Sequence, residues 1–98
     1  MPYTIEELQR LIAPIARQHG VKSVALFGSY SRGTATADSD VDLLIEKGRI
    51  RSLYQLSGFR LDVEDALQLP VDVVTTEAAD QEFVAMISKE KVSLYGQA

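Results

Sequence analysis

Gly28-Ser29-Tyr30-Ser31-Arg32-Gly33-Thr34-Ala35-Thr36-Ala37-Asp38-Ser39-Asp40-Val41-Asp42-Leu43-Leu44-Ile45 decides the fold, because it ends one strand, turns sharply and opens a second. Upstream of it, Val21 to Phe27 is β-branched and apolar enough for a strand that stops at Gly28-Ser29. Thr34 to Ser39 is small and polar and reads as a loop, so Asp40 to Ile45 is the next strand. Strand residues two apart share a face. Asp40 and Asp42 therefore point one way, and Val41, Leu43 and Ile45 the other.

That pairing has chemical consequences. A glycine lets the backbone turn sharply and approach a ligand closely, and the helix opened by the next residues offers free N–H groups and a dipole that favour an anion. A triphosphate tail fits at Gly28-Ser29. Two aspartates on one strand face repel each other, and they supply the hard oxygen ligands that Mg²⁺ prefers beside phosphate oxygens and water. An in-line phosphoryl displacement with two metal ions needs a further carboxylate, and Asp72 is the candidate. It sits alone among valines in Val71-Asp72-Val73-Val74-Thr75, a third strand, where burial would be costly without a cation or hydrogen-bonding partner. The alternatives are a turn and helix cap for Gly28-Ser29, a solvated strand edge for Asp40 and Asp42, and a surface aspartate for Asp72.

Working outward, Thr4 and Glu7 have capping-box spacing. Ile5, Leu8, Leu11, Ile12 and Ile15 then recur as on an amphipathic helix that ends near His19-Gly20, with Pro14 expected to kink or shorten it. Ser52 caps a helix running to about Leu67, which Pro70 ends. A short helix from about Ala79 to Lys89 and an edge strand Val92 to Tyr95 complete the order α-β-α-β-α-β-α-β, the element after the first strand being only a turn or two. The fold expected is a single α/β (α+β) domain over residues 1–98, a short mixed sheet with the three aspartates on one face and helices on the other.

The segments Gly28-Ser29-Tyr30-Ser31-Arg32-Gly33 and Ser39-Asp40-Val41-Asp42-Leu43 resemble the signature of the DNA polymerase beta-type nucleotidyltransferase superfamily, above all its minimal (MNT) members. The resemblance implies a small nucleotidyltransferase fold in which Asp40 and Asp42 bind two Mg²⁺ ions. Asp72 then completes the triad and helps activate the attacking hydroxyl, and Ser29 contacts the phosphates. It further implies an antitoxin that moves AMP from ATP to a tyrosine of a HEPN-type ribonuclease toxin. A non-catalytic antitoxin acting by occlusion, or the catalytic part of a small-molecule or RNA nucleotidyltransferase, are the alternatives. Relatives often have alanine where Ser31 stands, a small-for-small change.

Neighbouring motifs fail. Gly33 is followed by Thr34, so a P-loop lacks its lysine, and Asp38-x-Asp40-x-Asp42 lacks the glycine and final glutamate of an EF-hand, having Leu43 and Arg49 there. Arg32 either steadies the triphosphate or pairs with Asp38 or another carboxylate. Tyr30 is placed to flank a nucleotide, His19 to complement its helix dipole, and Lys47, Arg49 and Arg51 to lie in solvent.

A net charge of −4 over 98 residues argues against stable binding to a nucleic-acid duplex. The lack of cysteine excludes a disulfide framework and thiolate metal sites. The first residues have no basic start or apolar run, and nothing approaches the ~18 apolar residues of a membrane span. A cytoplasmic protein without membrane contact is expected.

Overall fold

The computed structural model describes residues 2–96. Eight elements follow in order: α1 (Ile5–His19), β1 (Ser23–Phe27), α2 (Ser29–Arg32), β2 (Val41–Glu46), α3 (Leu53–Leu67), β3 (Val71–Thr75), α4 (Gln81–Ile87) and β4 (Val92–Tyr95). The capping box forms as expected, with Thr4 N donating to Glu7 Oε1 at 2.9 Å and Glu7 N donating to Thr4 Oγ1 at 3.1 Å. Pro14 does not shorten α1, which continues to His19. It lies on the exposed side, where the Arg10 carbonyl that loses its partner can turn to water. α3 ends at Leu67 as expected, ahead of Pro70, with Gln68 taking the left-handed conformation at φ 57° as its cap. Pro70 leads into β3, its carbonyl accepting Val41 N at 3.0 Å.

The strands form one mixed sheet in the order β3-β2-β1-β4. β1 is antiparallel to β2 and to β4, whereas β2 and β3 are parallel, joined through α3 as a parallel pair requires. β1 begins at Ser23 rather than Val21, β2 at Val41 rather than Asp40, and α4 is shorter at both ends than expected. Asp80 caps α4, its carboxylate accepting Glu82 N at 3.0 Å.

The two sheet faces differ. Val24, Leu26, Val41, Leu43, Ile45 and Leu94 face α1 and α3 and are fully or almost fully buried with Leu8, Ile12, Phe59 and Val63. Each large aliphatic side chain so enclosed contributes about 1.5–3 kcal/mol. On the other face lie three rows: Phe27, Asp42 and Asp72; then Ala25, Leu44 and Val74; then Ser23 and Glu46. The helices are not confined to the face opposite the aspartates, as the sequence reading had it. Phe83 and Ile87 of α4 pack on Ala25, Phe27, Leu44 and Val74, because an apolar middle row has to be covered. The sheet is thus sandwiched, with α4 beside the aspartates.

His19 does more than complement a dipole. Its Nε2 lies 2.6 Å from Asp62 Oδ2 on α3, and its ring meets Phe59 edge-on at 5.8 Å, so it ties α1 to α3. Lys47 pairs with Glu77 at 3.3 Å, while Arg49 and Arg51 are exposed as expected. Among the described residues no helix is long and apolar enough to cross a membrane.

Candidate active site

Three chain segments converge where β1 ends and β2 begins. β1 delivers Phe27 opposite Asp42, and the parallel β2–β3 register sets Asp42 opposite Asp72. Between Phe27 and α2 the chain turns at Gly28, with φ 77° and ψ −153°, a conformation that L side chains rarely adopt. A Cβ built there would overlap Asp42 Oδ2. Gly28 is therefore required twice, once for its backbone angles and once to leave the Asp42 carboxylate room.

The turn is held from within. Ser31 Oγ donates to the Gly28 carbonyl at 2.9 Å, and Arg32 N donates to the same oxygen at 3.1 Å. Thr34 N closes the other side on the Ser29 carbonyl at 3.0 Å, with Gly33 left-handed between them at φ 76°. Ser31 is thus more than a small residue in a small residue's place: its hydroxyl fastens the turn, a role that hydropathy patterns do not signal. Thr36 N donates to Ser39 Oγ at 2.8 Å, which folds the loop back and leaves Asp40 just ahead of β2, near enough to Asp42 for their charges to interact.

The electrostatics follow from this crowding. Asp42 is half-buried, and its carboxyl is held above the usual carboxylate range, first by desolvation, then by the charges of Asp72 and Asp40 and a hydrogen bond to Asp72. The Arg32 guanidinium opposes the rise weakly. Asp40 and Asp72 are exposed. For Asp72 this corrects the expectation of a buried position among valines. β3 is an edge strand, and the apolar cover from α4 reaches only Val74, so the cost of burying Asp72 gives no argument for a cation. The argument that remains is its coupling to Asp42.

Among the described residues no three acidic or histidine side chains are gathered into ready-made ion-ligating geometry. The chemistry of the donors nonetheless fits a hard cation. Asp40, Asp42 and Asp72 offer only carboxylate oxygens, Gly28 leaves the Asp42 carboxylate the room it occupies, and a divalent ion would relieve the repulsion that raises Asp42.

Of the remaining sequence candidates, Ser29 heads α2 half-buried beside Gly28. Arg32 pairs with Glu90, its Nη1 donating to Glu90 Oε1 at 3.2 Å. No local pattern could have pointed to Glu90, 58 positions away. Tyr30 does not flank the site. It turns inward and packs in the larger core at 5% exposure, its hydroxyl without a hydrogen-bond partner among the described residues.

Residues 8–95 match the family profile described as "Nucleotidyltransferase domain". The protein MJ0435 of Methanocaldococcus jannaschii is 42% identical over 71 residues, covering 72% of this chain and 76% of its own. Protein adenylyltransferase MntA of Thermococcus cleftensis is 31% identical over 93 residues, covering 91% and 94%. A solved complex of a tri-AMPylated Shewanella oneidensis HEPN toxin with its MNT antitoxin contains a chain of the same fold. The TM-score is 0.74 at 19% identity, over 96% of this chain and 74% of that one.

Proposed function

This chain belongs to the nucleotidyltransferase domain family, and from that premise we propose that it transfers AMP from ATP to a tyrosine hydroxyl of a HEPN-type ribonuclease toxin, acting as its antitoxin in the cytoplasm. The observation that carries this reading is the seating of Gly28 over Asp42, with Asp72 in register beside it. A phosphate-approaching turn and a carboxylate cluster meet at one point, which neither an occluding surface nor a structural turn requires.

In the reaction, the tyrosine oxygen attacks the α-phosphorus of ATP, a new O–P bond forms, and the bond to the bridging oxygen breaks as pyrophosphate leaves. Asp40, Asp42 and Asp72 would hold two Mg²⁺ ions, which when bound neutralise the triphosphate and stabilise the attacking and leaving oxygens. Gly28 and the Ser29 hydroxyl receive the triphosphate closely, and Arg32 exchanges Glu90 for a phosphate oxygen. The Asp72 carboxylate, exposed at the sheet edge, takes the phenolic proton. Ser31 keeps the turn in place through the Gly28 carbonyl.

The test is intact-protein mass spectrometry of the partner toxin incubated with this chain, ATP and Mg²⁺, with Asp42→Asn as control. One or more adenylyl masses on a toxin tyrosine, reduced at least ~10³-fold in rate by the substitution, is the expected result. Toxin neutralised equally by both proteins without a mass gain would make the chain an occluding antitoxin instead.

A further inference from the structure

The face of α3 turned away from the core carries features that the catalytic reading does not use. Among the described residues, three of the four large hydrophobic side chains left exposed lie on this helix: Leu53 at 81%, Tyr54 at 89% and Leu61 at 54%. Tyr54 and Leu61 wall a groove of about 530 Å³ that runs past Ser57 and Gly58 to the α1 end at His19. Gly58 is the floor. It lies mid-helix, where glycine is the poorest former after proline, yet a Cβ there would meet only His19 Cε1 at an ordinary 3.7 Å. Packing within the chain thus has room for a side chain that the sequence leaves out. A bare position flanked by an exposed tyrosine and leucine suits the close approach of a second helix.

The charges identify that helix. Arg49 and Arg51 are exposed just before α3, and Asp65 is exposed towards its end, one turn beyond the Asp62 that already pairs with His19. The face is basic at one end, apolar in the middle and acidic at the other, which makes it complementary to its own antiparallel copy. We propose that two copies of this chain associate through α3, antiparallel about a two-fold axis at Ser57 and Gly58. Tyr54 then packs on the partner's Leu61, and Arg51 meets the partner's Asp65. Each contact occurs twice by symmetry. Because α3 lies on the sheet face opposite Asp42 and Asp72, both aspartate clusters stay open in the dimer.

A charge exchange in the full chain tests this. Sedimentation velocity over about 1–500 µM shows a reversible dimer for the wild type. Arg51→Glu and Asp65→Arg each place two like-charge contacts in a homodimer and weaken it at least ~10-fold. Mixed in equal amounts, the two variants restore dimerisation, since both contacts of the mixed pair are again opposite in sign. Gly58→Leu removes the dimer while the heat-unfolding midpoint stays no lower than that of the wild type. A wild type that stays monomeric over the whole range overturns the proposal. So does a mixture that associates no better than either variant alone, which would assign the face to a different protein.

Discussion

The two faces of β2 are built to opposite rules within six residues. Val41, Leu43 and Ile45 are completely enclosed against α1 and α3, whereas Asp42, between them in sequence, faces two further carboxylates and holds its proton more tightly than an ordinary aspartate. One face gains free energy from each residue. The other gains from Leu44 under α4 but loses some at Asp42 in order to keep charges together. The site is therefore precise without being stable by itself: the enclosed face, with Leu44 and Val74 under α4, holds Asp42 in register with Asp72 against the repulsion that would spread them.

Substitutions on the two faces should separate in kind as well as size. Leu43→Ala, on the enclosed face, is expected to destabilise the chain by about 2–5 kcal/mol, measured by denaturant unfolding, with activity lost only as folded protein is lost. Gly28→Ala probes the junction. Its Cβ meets Asp42 and its backbone angles are unfavourable, so we expect a cost of about 1–3 kcal/mol together with lost transfer in the fraction that remains folded. If that variant kept full transfer, the close approach of Gly28 to Asp42 would have no part in the chemistry.

The pH dependence sharpens the contrast further. The carboxyl of Asp42 is raised in the fold, so its contribution to stability is fully present below the ordinary carboxylate range and is lost as pH rises through its folded value. Asp42→Asn should therefore match the wild type near pH 3 and exceed it at neutral pH without divalent ions. Curves that run parallel at all pH values would mean that the carboxylates are not coupled. Smallest of all is Glu90→Gln. The half-exposed Arg32–Glu90 pair is worth about 0–1 kcal/mol, so the thermal midpoint should barely move, while ATP binding tightens slightly as Arg32 is released. Weaker ATP binding in that variant would assign Glu90 a supporting role instead of a competing one.

Much of this was legible beforehand because the deciding signals are local. The Asp40-x-Asp42 alternation against Val41, Leu43 and Ile45 specifies which face is enclosed, and Thr4 with Glu7 and Ser52 specify where two helices begin. What escaped depends on contacts between distant segments. Asp72 looked buried because its neighbours are valines, but exposure depends on the neighbouring strand and on how far α4 reaches. Tyr30 looked available to a ligand because it lies inside the turn, whereas a four-residue helix turns its second residue inward to the core. Pro14 does not shorten α1, since an exposed proline leaves the unpaired carbonyl to water, and the end of α3 at Leu67, legible from the following Pro70, is capped by a left-handed Gln68 that no pattern signals. The Arg32–Glu90 pair and the cover from α4 join segments far apart in the chain, and no periodicity carries that information.

The most direct test of the claim that the aspartate face gives up stability for cation chemistry is the thermal midpoint of wild type and Asp42→Asn, each with and without Mg²⁺ and ATP. We expect the order to invert: without ligands the variant is the more stable, by about 0.5–2 kcal/mol, and with Mg²⁺ and ATP the wild type overtakes it because only the wild type binds both. A variant that is no more stable alone, or a wild type that gains nothing from Mg²⁺ and ATP, would contradict the account.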